Sequence, residues 1–322
     1  MEKHKLSSID LKSILEIARL APSVHNIQPW KVKNTSEGVR ITIDNDHKLE
    51  AGDPVGRQTI ISLGIFAEAF CMAAEDMGWN ANKVKFENDR SVRIFFKKIK
   101  VTQSDISKLI KKRVTDRSIY TKIDVSVEAK KIIQSCAINN SVKVWLIENE
   151  NFIKNLAKLN SKGIRMALSN PEFRSELSRY LIRFGSHKKR GIPVKSLYVP
   201  WLIANLQPES LKLGLSIGKE AELEEKRWNS ASSVVLITTD GDLYDDWFNA
   251  GRTYLRVSLA IENFNLSQAT SAATVEAATF HEDVEKMLGT SQRLQAVLRI
   301  GKGAVKKRYS PRVSAKELIT SS

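Results

Sequence analysis

The residues best suited to recognise a small polar ligand lie between two prolines near the start of the chain. Ser23, Asn26 and Gln28 offer a hydroxyl and two amides, within the run Ala-Pro-Ser-Val-His-Asn-Ile-Gln-Pro-Trp at 21–30. These groups both donate and accept hydrogen bonds. The prolines at 22 and 29 restrict φ and interrupt regular structure. The pattern predicts a stiff polar loop between a helix and a strand, suited to binding a small polar ring system. A plain solvated turn is the alternative.

Two helical runs in the same register are expected to position this loop. Gly64–Trp79 and Gly251–Leu266 align without a gap, and both have apolar residues three to four positions apart. Glycine, alanine and glutamate recur at matching positions of the two runs, which are Gly64 and Gly251, Ala73 and Ala260, and Glu75 and Glu262. Each run ends at a Gly or Asn followed by a large apolar residue, which is typical of a left-handed helix stop. The pattern indicates two copies of one α+β unit.

Composition restricts the class of protein further. The 322 residues carry a formal net charge of +15, 42% apolar residues and two cysteines. A basic surface attracts anions of any kind, but the basic runs are scattered and no nucleic-acid module accompanies them, so we expect no specific nucleic-acid partner. The cysteine spacing fits no metal or redox motif, which favours a reducing cytoplasm. We saw no stretch of about twenty apolar residues and expect no membrane partner.

Two motifs resemble those of the FMN-dependent nitroreductase superfamily. The loop matches its Pro-Ser-x-x-Asn-x-Gln-Pro-Trp signature, and Arg113-Val-Thr-Asp-Arg117 is similar to its opening Arg-x-Ser-x-Arg, with Thr115 in place of serine. The resemblance implies an α+β, nitroreductase-like fold. Because the loop lies in the first half of the chain and the arginines in the second, it also implies two fused half-units, residues 1–105 and 106–322, forming an intramolecular pseudo-dimer. One complete FMN site and one defunct site then follow.

The resemblance also implies roles for single residues. The expected cofactor-binding residues are Pro22, Ser23, Val24, Asn26, Gln28, Arg113, Thr115, Arg117 and Arg312. The arginines and Thr115 would hold the phosphate, because a guanidinium matches phosphate oxygens with forked donors; Arg308 is a weaker candidate for the same role. Ser23 and Asn26 would contact the ring edge or the ribityl hydroxyls, and the loop at 267–274 would lie over the ring. The catalytic residues cannot be assigned from the sequence, and no metal site is expected. Hydride transfer does not require His25 as a proton donor.

Residues about 165–230 have no counterpart in the first half. They resemble the insertion of the fused nitroreductases typified by the mycobacterial Acg protein, in which this region forms a helical lid over the flavin. The implied function is NAD(P)H-dependent reduction of a nitroaromatic, quinone or similar planar acceptor, by a monomeric pseudo-dimer or a weak homo-oligomer. Since a lid hinders exchange of substrates, a non-catalytic flavin-sequestering protein is the first alternative. A basic nucleic-acid-associated protein is the second.

Overall fold

A computed structural model describes residues 5–88, 90–101, 104–304 and 309–320. Within these ranges the helices are α1 Ser8–Ala18, α2 Arg57–Asp76, α3 Ile106–Lys112, α4 Val127–Gln134, α5 Glu150–Ser169, α6 Pro171–Tyr180, α7 Trp201–Lys212, α8 Ile217–Asn229, α9 Tyr244–Asn263, α10 Ala273–Glu276, α11 Phe280–Leu288 and α12 Ala315–Leu318. The strands are β1 Trp30–Thr35, β2 Gly38–Ile43, β3 Trp79–Phe86, β4 Val92–Lys98, β5 Val142–Ile147, β6 Leu181–Ile182, β7 Ile192–Pro193, β8 Ser233–Thr239, β9 Ser267–Thr270 and β10 Arg293–Gly301. The predicted α+β class is confirmed.

Two antiparallel sheets of four strands repeat the same order. The first runs β1-β2-β4-β3 and the second β5-β8-β10-β9, so that each places its first, second, fourth and third strand side by side. In both sets a twenty-residue helix, α2 or α9, leads into the third strand. The left-handed stops predicted after these helices are present at Gly78 and Asn265, whose φ angles are 80° and 55°. This repeated order is what duplication of one unit predicts.

The two long helices cross in direct backbone contact. A Cβ atom on Gly64 would overlap the carbonyl oxygen of Phe248, and one on Gly251 would overlap that of Ile61 and lie 3.1 Å from the Cα of Gly64. The two glycines matched in the sequence therefore meet at the crossing. A shared apolar core surrounds it, in which Trp30 stacks on Phe66 with ring centroids 4.4 Å apart.

Helix α2 corrects one expectation from the sequence. Within the described residues it is long and apolar enough to cross a membrane by length and composition, and 83% of its apolar window is buried in this fold. No run of this length and composition is expected from the sequence. Because its apolar side chains pack against other elements of the protein, the run is accounted for as a core helix.

The inserted region folds as a helical cover with a small core of its own. Helices α6, α7 and α8 and the parallel pair β6-β7 surround an apolar cluster that includes Leu168, Leu181 and Leu211. Helix α6 is attached to the first half by Glu176, a buried carboxylate that accepts hydrogen bonds from the backbone of Ala51 and Gly52. The cover therefore lies against the segment that follows β2.

Candidate functional site

The proline-flanked loop contains a short 3₁₀ turn with unusual backbone angles. The turn covers Val24–Asn26, and φ is positive at His25, Asn26 and Gln28. L-residues seldom adopt such angles, so the surroundings must hold the loop in place. The hydroxyl oxygen of Ser23 accepts from the backbone of Gln28 at 2.9 Å. Its own hydrogen has no acceptor among the residues that the structure describes and is available to a ligand.

The two amides of the loop are engaged within the protein. Asn26 donates to the carbonyl oxygens of Gly191 at 2.9 Å and Pro311 at 3.1 Å. Gln28 donates to Lys189 in the cover at 2.8 Å, and accepts from the backbone of Val313 at the same distance. Both side chains thus connect the loop to the cover and to the C-terminal segment. Their assignment to a flavin stays a prediction, and in this structure they position the loop.

Residues 113–117 extend from the end of α3 in an irregular segment. The two arginines of the motif therefore do not share one helical face. Arg113 is 3% exposed, and desolvation lowers its pKa. Desolvation and the neighbouring Arg227 cation lower the pKa of Arg117, while Glu224 opposes this. Arg117 makes no hydrogen bond or ion pair with any described residue, so Glu224, beyond ion-pair distance, is the carboxylate that partly offsets its charge.

The loop and the arginine segment meet at two connected chambers. The smaller has a volume of about 60 Å³ and is lined by Arg113, Arg312, Tyr198 and Tyr309, among others. The larger, of about 330 Å³, extends beneath the cover. Six residues line both chambers, namely Pro22, Ser23, His25, Thr115, Arg117 and Ile192. Of the predicted site residues, Val24 lines only the larger chamber, Arg113, Asn26 and Arg312 only the smaller, and Gln28 neither.

Arg312 lines the smaller chamber, but its donors are largely engaged. It donates to Asn26 Oδ1 at 2.8 Å, and to the carbonyl oxygens of Pro311 at 2.9 Å and Leu20 at 3.2 Å. Arg312 therefore holds Asn26 in place in this structure, and its phosphate role stays a prediction. Arg308 lies outside the described residues.

Two further arginines line the larger chamber, and sequence reasoning missed both. Arg227 on α8 donates to the carbonyl oxygen of Leu197 at 2.9 Å. Arg299 on β10 is 2% exposed and donates to Ser118 at 2.9 Å, while its buried Nη1 finds no acceptor within the described part of the chain. The sequence signal that marks Arg299 is its position inside the apolar run Ala296–Ile300. Nothing in the local sequence marked Arg227.

His25 lies where the loop meets the cover. Its ring centroid is 6.2 Å from that of Phe173 and 6.5 Å from that of Tyr180, both on α6. Desolvation, and to a lesser extent the Arg117 cation, lower the pKa of His25 to about 4. The imidazole is therefore neutral at pH 7 and has no proton to spare as an acid.

The segment at 267–274 is more regular than the predicted loop. It begins as strand β9 and turns into the short helix α10. Small residues from 269 to 272 still line the larger chamber, so the backbone approaches the cavity closely. Among the described residues no group of three or more His, Cys, Asp or Glu side chains could hold a metal ion.

These features define a class of site, namely a cavity in an α+β chain that is roofed by helices and lined by more arginines than carboxylates. Comparison with known proteins refines that class. No family model matches the chain. Over 202 residues, 61% of the chain, it is 23% identical to a "Putative NAD(P)H nitroreductase" of Mycobacterium tuberculosis, and the match spans 57% of that relative.

A second relative is similar over a shorter stretch. The chain is 35% identical over 78 residues, 24% of each protein, to the "Putative NAD(P)H nitroreductase acg" of the same organism. A nitroreductase of Desulfitobacterium hafniense, solved with bound FMN, is 14% identical, with 69% of this chain and 100% of the other covered at a TM-score of 0.44. The two sequence matches confirm the resemblance to the nitroreductase superfamily and its Acg-type members.

Proposed function

We propose that the chain binds one FMN in the two connected chambers and acts as an NAD(P)H-dependent oxidoreductase of the nitroreductase type. The observation that carries this proposal is Arg117, which faces both chambers without a hydrogen bond or ion pair to any described residue. A buried cation close to a second guanidinium, that of Arg227, is only partly offset by Glu224, and binding of an anion there would stabilise it. The dianionic phosphate ester of FMN is an anion of this kind.

The shape and chemistry of the chambers fit the parts of FMN. In the smaller chamber Arg113, Thr115 and Arg117 offer guanidinium and hydroxyl donors that suit a phosphate. The larger chamber, of about 330 Å³, falls within the usual range for a small-molecule pocket. Its walls are largely apolar on the side of the cover, where Leu177 and Leu211 lie, and suit a flat ring system.

The residues around the two chambers would bind and orient the cofactor. When bound, FMN supplies the redox chemistry, accepting hydride from NAD(P)H and passing electrons to a planar acceptor such as a nitroaromatic or quinone. The Ser23 hydroxyl provides a donor at the wall that the chambers share, where it would stabilise negative charge on the reduced ring. Neutral His25 holds the loop against α6, and solvent supplies protons.

We infer a single flavin per chain because side chains fill the positions of α9 that correspond to cavity-lining positions of α2. Counting from the matched glycines Gly64 and Gly251, the cavity-lining Ile61 corresponds to Phe248. Phe248 stacks on Phe86 at 5.0 Å. One residue beyond the glycine, Arg252 forms an ion pair with buried Glu68 at 2.7 Å. We propose that residues 1–105 and 106–322 are fused half-units in which these side chains occupy the space of the second cofactor.

One observation favours the flavin-sequestering alternative. The cover is fastened to the loop by Asn26 and Gln28, and by Arg190, which donates to the carbonyl oxygens of Ile27 at 2.7 Å and Gln28 at 2.5 Å. A fastened cover would retain a cofactor and slow the exchange of NAD(P)H and acceptor. We propose cytoplasmic NAD(P)H turnover as the leading function and flavin storage as the second.

The test begins with the visible spectrum of the purified protein and the flavin released per chain. Flavin absorbance with about one FMN per chain supports the site. Anaerobic bleaching by NADPH, followed by reoxidation with a quinone, supports the enzyme, whereas colour that persists in excess NADPH and NADH supports storage. A protein that neither carries flavin nor binds added FMN overturns the proposal.

Riboflavin provides the control for the phosphate role. Because it lacks the phosphate, it should bind more weakly than FMN by about 1.5–3 kcal/mol for each charged hydrogen bond lost. Equal affinity for the two flavins would show that the arginines do not hold the phosphate.

A further inference from the structure

Helix α7 presents apolar side chains to solvent in the cover. Trp201, Leu202, Ile203 and Leu206 are 53–63% exposed, and Leu213 and Leu215, in the turn that follows, are 68% and 74% exposed. We call these six residues the α7 face. Single exposed apolar residues are common in proteins, but a group of six within fifteen residues marks a binding surface.

The opposite side of the same helix is already buried. Ala204, Gln207 and Leu211 point into the protein, and Gln207 and Leu211 line the larger chamber. The α7 face is therefore not needed for the core of the cover. Phe184, 42% exposed, extends the face, because its ring lies 6.3 Å from that of Trp201.

The stretch of chain that carries the α7 face is cationic up to Lys219, after which the acidic residues of α8 begin. Residues 181–219 contain seven Lys or Arg residues and one acidic residue, Glu209. Glu209 is itself paired with Arg183. Lys195, Lys212 and Lys219 are exposed and have no ion-pair partner among the described residues. Exposed apolar and aromatic side chains flanked by exposed lysines form the pattern of a segment that lies in a membrane interface.

We propose that the α7 face docks on an anionic lipid surface. The lysines would lie among anionic headgroups, while Trp201 and the leucines enter the boundary of the acyl chains. A second copy of the chain is a poorer occupant, because pairing two such faces would bring two sets of cations together. The sequence predicts no membrane partner because it shows no spanning segment. That criterion does not detect a helix face that binds to the surface of a membrane. The proposal is independent of the flavin.

Flotation of the full-length protein with vesicles tests the proposal. Vesicles of phosphatidylcholine with about 30% phosphatidylglycerol should carry the protein, and phosphatidylcholine alone should carry about tenfold less. Binding should fall steeply as salt rises. On binding, tryptophan fluorescence should shift to the blue, and Trp201→Phe should abolish the shift, because Trp201 is the most exposed of the six tryptophans.

Matched variants distinguish vesicle binding through the α7 face from nonspecific hydrophobic binding. Leu202→Ser with Leu206→Ser should reduce vesicle binding about tenfold or more. Ile9→Ser with Val127→Ser, which removes two side chains that are 79% and 65% exposed elsewhere, should leave binding unchanged. Likewise, Lys212→Gln with Lys219→Gln should weaken binding, and Lys97→Gln with Lys100→Gln should do so less.

Three outcomes would overturn the proposal. They are absence of binding to anionic vesicles, equal binding to neutral vesicles, and a dimer in sedimentation velocity that the two serine substitutions on α7 dissociate while no vesicle binding occurs. The last outcome would identify the face as a contact between copies of the chain. Circular dichroism of each variant confirms that it is folded before its binding is compared.

Discussion

At the scale of single residues, the arginines around the cavity differ in what they are free to do. Arg312 donates to Asn26 and to backbone carbonyls, whereas Arg117 makes no hydrogen bond or ion pair with a described residue. Desolvation and the Arg227 cation lower the pKa of Arg117. An anion bound beside Arg117 would therefore stabilise its charged form. Among the predicted phosphate ligands, Arg117 is therefore the most sensitive test.

Replacement of Arg117 should weaken cofactor binding. We expect Arg117→Gln to lower FMN affinity by about 1.5–3 kcal/mol, because a charged hydrogen bond to the phosphate is lost. Titration of the apoprotein, followed by quenching of flavin fluorescence, measures the affinity. Arg165→Gln, on the exposed surface of α5, is the control and should bind normally. Unchanged affinity in Arg117→Gln would refute the role.

His25 should make stability depend on pH. Its pKa falls from 6.5 in the unfolded chain to about 4 in the folded protein. Between these values the unfolded state binds more protons, so the free energy of unfolding decreases as pH falls from about 6.5 to about 4. The contribution is about 2–3 kcal/mol.

Urea unfolding at pH 7 and pH 4.5 measures this effect. His25→Asn keeps a residue type that tolerates positive φ and should lose less stability on acidification than the wild type. The raised pKa of Asp53, about 6, acts in the opposite direction and is common to both proteins. His187→Asn, at an exposed histidine, should match the wild type. Equal losses in His25→Asn and the wild type would contradict the assignment.

At the scale of elements, the crossing of α2 and α9 brings two distant parts of the chain into backbone contact. A methyl group at Gly64 or Gly251 would meet backbone, which cannot move aside without separating the helices. We expect Gly64→Ala to destabilise the fold by about 1–3 kcal/mol, the usual cost of overpacking.

Gly218 on α8 provides the matched control. A Cβ there would lie 3.9 Å from its nearest neighbour, on Arg165. Gly218→Ala should be neutral or stabilising by up to about 1 kcal/mol, since alanine favours helix. Chemical denaturation of both variants checks the difference in sign, and a stabilising Gly64→Ala would be inconsistent with the crossing.

The fastening between cover and loop should control how fast the cofactor leaves. Arg190 bonds to two loop carbonyls and forms an ion pair with Asp44 at 3.2 Å. We expect Arg190→Gln to speed FMN release by about tenfold, the effect of losing one charged hydrogen bond. Stopped-flow release into excess apo-acceptor protein measures the rate, and Lys188→Gln on the exposed side is the control. An unchanged rate would mean that the cover opens elsewhere.

Much of this arrangement could be predicted from local sequence. The prolines and polar residues of the loop, the Arg113–Arg117 motif and the matched glycines all carry their signal within a few positions, and the structure brings them together. By contrast, the bonds of Asn26 to Gly191 and Arg312 join residues far apart in sequence. Arg227 reaches the chamber through the packing of the cover. Such partners depend on tertiary structure, which no local pattern encodes.

At the scale of the whole molecule, the chain should bind one flavin at saturation. Phe248 and Arg252 fill the positions that correspond to the cavity-lining residues of the first half. Equilibrium dialysis against increasing FMN should therefore level off at about one equivalent per chain. A plateau near two equivalents would show that the second position also admits the cofactor.

The cavity takes Ser23 from the loop before α2 and Arg117 from the segment after α3, both within a single polypeptide. Where two separate subunits build a pocket, dilution pulls it apart. Here the covalent connection gives each part of the pocket a high effective concentration relative to the other, whatever the protein concentration. Release of a bound ligand should then be first-order, with a rate constant that does not rise when the protein is diluted.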